Sequence, residues 1–250
     1  MVTPGRDTGG EAEGRVAALR AQLVGDPESD ERDAVVGRLR RLCRVVARTL
    51  PASGAGVSVV AGGVHAVAAA SDPVSEMLED LQFILGEGPC LDALASRQPI
   101  LEPDLDGAAS WRWLGYAPAA MERGACAVFA FPLQIGAAQL GVLDVYHDQP
   151  GSMSTETLAQ AMTFADLAVE TLLDGQEHAE VGRPPQDLDQ ALDPHYVVYQ
   201  AQGMTMIDLG VSLDEAMARL RAYAYAHERP LRDVAADIVA GSLQLQRDQS

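Results

Sequence analysis

From Gly124 to Leu143 the chain runs through twenty residues without one charged side chain. A run of that length, if helical, would reach across a bilayer. Pro132, Gln134, Gly136, Gln139 and Gly141 argue against a helix, because a proline, two amides and glycines cut the run into strand-length pieces. The pieces, Ala125 to Leu133 and Gln139 to His147, read as a buried β-hairpin. A second hairpin is predicted upstream, where Ala55 to Ala61 and Val64 to Ala70 flank Gly62-Gly63. Two apolar hairpins form a sheet that needs helices to cover it.

Those helices are legible by their period. Val35, Leu39, Leu42 and Val46 recur at spacings of four, three and four within residues 31–50, a stripe suited to a partner helix, in a dimer for example. Six arginines (Arg32, Arg38, Arg40, Arg41, Arg44 and Arg48) share that segment, either as a solvated or acid-facing side or as a nucleic-acid patch. Leu158, Ala161, Met162, Ala165, Ala168, Val169 and Leu172 mark another helix over residues 157–173. Between the hairpins lie a helical stretch from Val74 to Leu81, the string Leu85-Gly-Glu-Gly-Pro-Cys90, a short strand Pro99–Glu102 and an aromatic segment at Trp111–Tyr116. Residues 1–30 read as a loose tail with a short helix from Glu11 to Leu23.

This order of elements, with Gly-Glu-Gly-Pro-Cys after the first hairpin, resembles the GAF fold of bacterial signal sensors. The resemblance spans residues 31–174 and implies an antiparallel sheet with flanking helices, terminal helices that dimerise, and a small-molecule pocket. The aromatics near the sheet, Phe83, Trp111, Tyr116, Phe129 and Phe131, would line that pocket or fill a plain core. The identity of the ligand, and any cofactor, is left unknown.

Past residue 174 the composition turns polar, and Arg183-Pro-Pro185 marks residues 175–193 as a linker. Three short helices are predicted beyond it. Asp193-Pro194 opens the first and Gly210 closes it. Ser212-Leu-Asp-Glu215 forms a capping box for the second, in which Glu reaches back to Ser. After Arg229-Pro230 a third carries Leu231, Val234, Ala235, Ile238 and Val239 on one face.

The strings Gln200-Ala-Gln-Gly-Met, Asp214-Glu-Ala-Met, Leu220-Arg-Ala-Tyr-Ala and Arg229-Pro-Leu-Arg-Asp-Val-Ala resemble the ANTAR family, placed here on residues 194–250. That resemblance implies a transcription antitermination regulator, acting as a homodimer, whose three-helix module binds tandem hairpin loops in nascent RNA. Gln202, Gly203, Arg221, Arg229 and Arg232 are the positions it would use. Exposed loops offer base edges and stacking faces to a few side chains. Each has a structural alternative: Arg221 and Arg229 as ion-pair partners of Glu228 or Asp233, Gly203 as a close-packing residue. The fold class is thus α+β, followed by a small all-α domain.

Composition constrains the function further. The formal net charge is −18, but residues 51–194 hold four Arg against twenty-one acids, while residues 195–250 hold five against seven. The acidity belongs to the sensor, so it does not by itself oppose an RNA partner at the other end. Cys43, Cys90 and Cys126 are odd in number and far apart, which excludes a disulfide framework or a paired zinc spacing. The five histidines form no ligand motif, and without lysine there is no phosphate-binding loop. The first ten residues lack an apolar secretory core, so a cytoplasmic protein outside the membrane is expected. A non-enzymatic regulator follows. The alternatives are a protein-interaction regulator with a degenerate module, and a thiol-dependent GAF-fold reductase using Cys90 and Cys126.

Overall fold

A computed structural model describes residues 8–24, 34–61, 64–177, 185–227 and 229–245. The predicted hairpins form: β1 (Gly54–Ala61) pairs with β2 (Val64–Ala70), and β4 (Ala127–Ile135) with β5 (Ala138–His147). With β3 (Ile100–Glu102) they make one antiparallel sheet in the order β2-β1-β5-β4-β3. At the centre, β1 and β5 lie so close that a Cβ on Gly141 would stand 2.0 Å from the Ser58 carbonyl oxygen. Glycine is required there by that approach.

Strand alternation separates two faces. On one, Ala55, Val57, Val59, Phe129, Phe131, Leu133, Leu143 and Val145 meet α2 (Val35–Thr49) and α7 (Thr155–Glu177). The α2 stripe of Val35, Leu39, Leu42 and Val46 is consumed here, within the chain, rather than against a partner helix. Arg38 donates to the Thr171 carbonyl and Arg41 to the Leu23 carbonyl, so two of the six arginines tie neighbouring helices. Residues 8–24 of the segment expected as a loose tail form one helix. Helix α1 (Thr8–Val24) buries Leu19 in the same core and pairs Arg20 with Glu170.

The other face carries Gly54, Gly56, Ser58, Asp144 and Tyr146 and is covered by α3 (Pro73–Leu85), α4 (Pro89–Ser96), α5 (Ala109–Arg112) and α6 (Tyr116–Met121). Asp72 caps α3, its carboxylate accepting from the Val74 and Ser75 amides, with Pro73 in the first turn. Gly86, at φ 73°, ends α3 in the left-handed region.

Three helices follow, α8 (Gln186–Leu209), α9 (Leu213–Ala226) and α10 (Leu231–Val239). The first begins eight residues before the predicted Pro194, which lies inside it, so the expected linker contracts: residues 175–177 complete α7 and residues 186–193 open α8. Gly210 stops α8 at φ 68°, as predicted. The Ser212 hydroxyl accepts from the Glu215 amide, but Glu215 pairs with Arg219 at 2.9 Å instead of closing the box. Val198, Ala201, Met217, Leu220, Ala224, Leu231, Val234, Ala235 and Ile238 form the small core.

Candidate functional site

A polar nest lies buried between the second sheet face and α3. Along β1 the sequence Gly54-Ala-Gly-Val-Ser58 puts only small side chains on this face, which lets Ser75 and Glu79, one helical turn apart, come down onto the strand. An added Cβ on Gly56 would stand 2.2 Å from Glu79 Oε1. Glu79 accepts from the Ser58 hydroxyl at 2.5 Å and from the Tyr146 hydroxyl at 2.8 Å. Gln82, a further turn along, donates to Asp144 Oδ2 at 2.9 Å and accepts from the Cys90 amide at 2.8 Å. Cys90 Sγ is 3.6 Å from His65 Nε2 on the edge strand β2.

The string Gly86-Glu-Gly-Pro-Cys90 builds much of this geometry. Gly86 terminates α3, and Glu87 accepts from the Gly115 and Tyr116 amides at 2.5 and 2.8 Å, fixing the start of α6. Gly88, at φ 139°, leaves room for Gln82, and Pro89 begins α4 so that Cys90 faces inward.

Burial governs the electrostatics. It pushes the Glu79 carboxyl up to about 7 against the pull of the Ser58 and Tyr146 hydrogen bonds. Asp144 is raised well above the carboxylate range, by burial and then by the charge of Glu79. The Cys90 thiol is raised by burial and by both acids, and burial brings His65 down to about 4. At neutral pH the nest thus holds a neutral imidazole, a thiol and an acid pair that retains a proton. Asp144 Oδ1, Tyr116 Oη and His65 Nδ1 are buried without a hydrogen-bond partner among the described residues.

Helix α3 shows its opposite side to the carboxy-terminal helices. Phe83 joins their core, edge-on to His195 with centroids 4.7 Å apart and tilted against Tyr199. His195 Nε2 lies 3.3 Å from Asp80 Oδ1. Arg221 donates to the Phe83 carbonyl at 2.8 Å and packs on Gly86, where a Cβ would stand 2.3 Å from its guanidinium. The Tyr199 hydroxyl accepts from the His65 amide at 2.8 Å and donates to the His65 carbonyl at 3.1 Å, so α8 closes the open edge of the sheet. Both Glu79 and His65 are therefore one step from the three-helix unit.

The five predicted pocket aromatics do not meet in one cavity. Phe129 and Phe131 sit under α2 and α7, on the far side of the sheet from Tyr116. Phe83 belongs to the interdomain contact, and Trp111 is 83% exposed while its neighbour Trp113 is the buried one. Tyr116 alone borders the nest. The sequence reading missed Ser58, Glu79, Gln82, Asp144 and Tyr146, although a lone Asp144 in an otherwise uncharged strand was a signal.

Of the five predicted RNA positions, Gln202 is buried and donates to the Leu213 carbonyl at 2.9 Å, holding α8 to the start of α9, so its amide serves the fold. Arg221 is engaged by α3. Arg229 pairs with Asp237 at 2.6 Å, a partner the sequence did not suggest, while Glu228 lies outside the described residues. Arg232 is exposed. An added Cβ on Gly203 would meet nothing within 4 Å, so this glycine is not there for helix packing. Arg221, Arg229, Tyr225 and Pro230 line an open groove of about 970 Å³ whose other wall is Ile84, Leu85, Glu87 and Gly115.

The GAF domain family model matches residues 37–172, the sheet with its covering helices, and the ANTAR domain model matches residues 186–239, helices α8 to α10. The chain belongs to the GAF domain family and carries an ANTAR domain behind it. Among solved structures, the GAF domain of an Acinetobacter phosphoenolpyruvate-protein phosphotransferase is 11% identical, with a TM-score of 0.49, over 67% of this chain and 96% of that one. A free methionine-R-sulfoxide reductase from Neisseria meningitidis, solved with its substrate, is 15% identical at TM-score 0.48 over 72% and 98%. The type II enzyme of Thermoplasma acidophilum is 18% identical at 0.44 over 55% and 91%. No curated protein matches. A GAF domain joined to an ANTAR domain makes a signal-responsive regulator of the RNA-binding kind. No described helix is long and apolar enough to cross a membrane.

Proposed function

We propose that the protein is a transcription antitermination regulator whose GAF domain holds the ANTAR helices docked, and that release lets a homodimer bind tandem hairpin loops in nascent RNA. One observation carries this reading. Arg221, one of the cations the ANTAR resemblance assigns to RNA, is bonded to the end of α3, the helix that brings Glu79 and Gln82 into the nest. A change in the nest that moves α3 acts directly on the arginine. Gly203, Arg229 and Arg232 complete the RNA surface, and Tyr225, 85% exposed, supplies a stacking face.

The role is regulatory rather than catalytic. A nucleophilic cysteine needs a lowered pKa, and Cys90 is pushed the other way by burial and two acids. The protein-interaction reading draws on the module's five Arg against seven acids, with Arg219 and Arg229 already paired. Gel-shift with tandem hexanucleotide-loop hairpins separates the two. The antitermination reading expects Phe83→Ala, which undocks the helices, to bind more tightly than wild type, and Arg221→Ala added to it to weaken binding. Absence of binding by both wild type and Phe83→Ala at low salt, in a dimeric preparation, leaves the protein-interaction reading.

A further inference from the structure

Glu79, Asp144 and Cys90 enter the nest from three elements, α3, β5 and α4, and one carboxylate oxygen from each acid and the Cys90 sulfur lie within 4.8 Å of one another. Metal–oxygen bonds of about 2.0–2.2 Å and metal–sulfur bonds of about 2.3 Å place the ligand atoms of a tetrahedral ion roughly 3–4 Å apart. Small side-chain movements reach that spacing. We propose that Glu79, Asp144 and Cys90 form a binding site for a single divalent transition-metal ion of the zinc or ferrous class.

The chemistry of the nest favours a cation over a plain core. Two acids and a thiol converge with no arginine among the nest's hydrogen-bonding partners in the described residues. An unpaired buried acid cluster is costly, and an isosteric amide would fill the same space without that cost. One polar atom outside the three ligands points the same way. Tyr116 Oη, on a fully buried ring whose backbone amide is held by Glu87, makes no hydrogen bond among the described residues. Its hydroxyl lies within electrostatic reach of all three ligands.

The surroundings favour an ion over an organic ligand. Gly56 and Gly88 stand so close to Glu79 and Gln82 that even a methyl group on either would collide with them. Ala130 and Val142 close the Cys90 side. One thiolate with two carboxylates suits a borderline ion and disfavours Mg²⁺ or Ca²⁺, which take oxygen ligands alone. The supporting contacts are of the kind that orient ligands: Ser58 and Tyr146 donate to Glu79, Gln82 donates to Asp144, and His65 Nε2 lies beside the Cys90 sulfur. On binding, the thiol and any protonated carboxyl release their protons to solvent.

The test is titration of the reduced full-length protein with Co²⁺. The expected result is one ion per chain, visible d–d bands and a thiolate-to-cobalt charge-transfer band in the near ultraviolet, all displaced by Zn²⁺. Cys90→Ser removes the charge-transfer band, and Cys43→Ser leaves it intact. Glu79→Gln, which keeps the side chain's shape and so protects the fold, lowers affinity by about tenfold or more. The assignment is overturned by a wild type without the charge-transfer band, by a band that survives Cys90→Ser or is lost with Cys43→Ser, or by unchanged affinity in folded Glu79→Gln.

Discussion

Glu79 is an acid enclosed by protein, and its ionisation is therefore coupled to folding. Its folded pKa of about 7 lies above the ordinary 4.5, so its contribution to stability is complete below the ordinary value and is lost as pH rises through about 7. His65 works in the opposite sense: lowered from 6.5 to about 4, it contributes above the ordinary value and loses that contribution as pH falls. Over the interval from 4.5 to 6.5 the two slopes oppose each other. Glu79→Gln removes one of them. The melting temperature of the variant relative to wild type is expected to climb between about pH 5 and about pH 8, by at most about 1.4 kcal/mol of stability per pH unit. A constant difference across that range shows that Glu79 titrates normally. At this scale the sequence was least informative, since Trp111 and Trp113 are two positions apart and only the packing at the end of α5 decides that the second is buried.

At the scale of elements, β1 and α3 were found in the sequence, but their mutual approach was not. Alternation assigns Ala55, Val57 and Val59 to a core, and it leaves Gly54, Gly56 and Ser58 looking like the solvent face of an edge hairpin. Packing makes that face the floor of the nest. Gly56 on that floor and Gly141 on β5 differ in what blocks a side chain. Gly56 faces the end of the Glu79 side chain, which can withdraw at the loss of its hydrogen bonds, on the order of 1–3 kcal/mol for each buried group left unpaired. Gly141 faces the Ser58 backbone, which moves only if the strands part. Urea denaturation should therefore rank Gly141→Ala as more destabilising than Gly56→Ala; the reverse order means that β1 and β5 have slack that the structure does not show. Helix boundaries erred in a physically clear place: Asp193-Pro194 has the composition of a helix start, but α8 already runs from Gln186, because tertiary contacts override such local signals.

For the molecule as a whole, the two domains share side chains. Phe83 belongs by sequence to the GAF domain and by packing to the ANTAR core, and truncation of a buried Phe typically costs about 3–5 kcal/mol. Phe83→Ala is expected to raise amide hydrogen exchange across α8 to α10 while the β1–β5–β4 sheet keeps its protection. Loss of protection throughout would instead mean that the domains fold as one unit.

The sequence by itself determined the two families, the hairpins, the amphipathic helices and the placement of acidity in the sensor, because strand alternation, helix period and capping are local properties of a chain. Tertiary structure alone decided that Gln202 stitches helices, that Arg221 is held by α3, that the α2 stripe faces inward, and that Ser58, Glu79, Gln82, Cys90, Asp144 and Tyr146 meet. Those facts depend on which residues, up to 138 positions apart, are pressed together when the chain folds, and no local period records that distance.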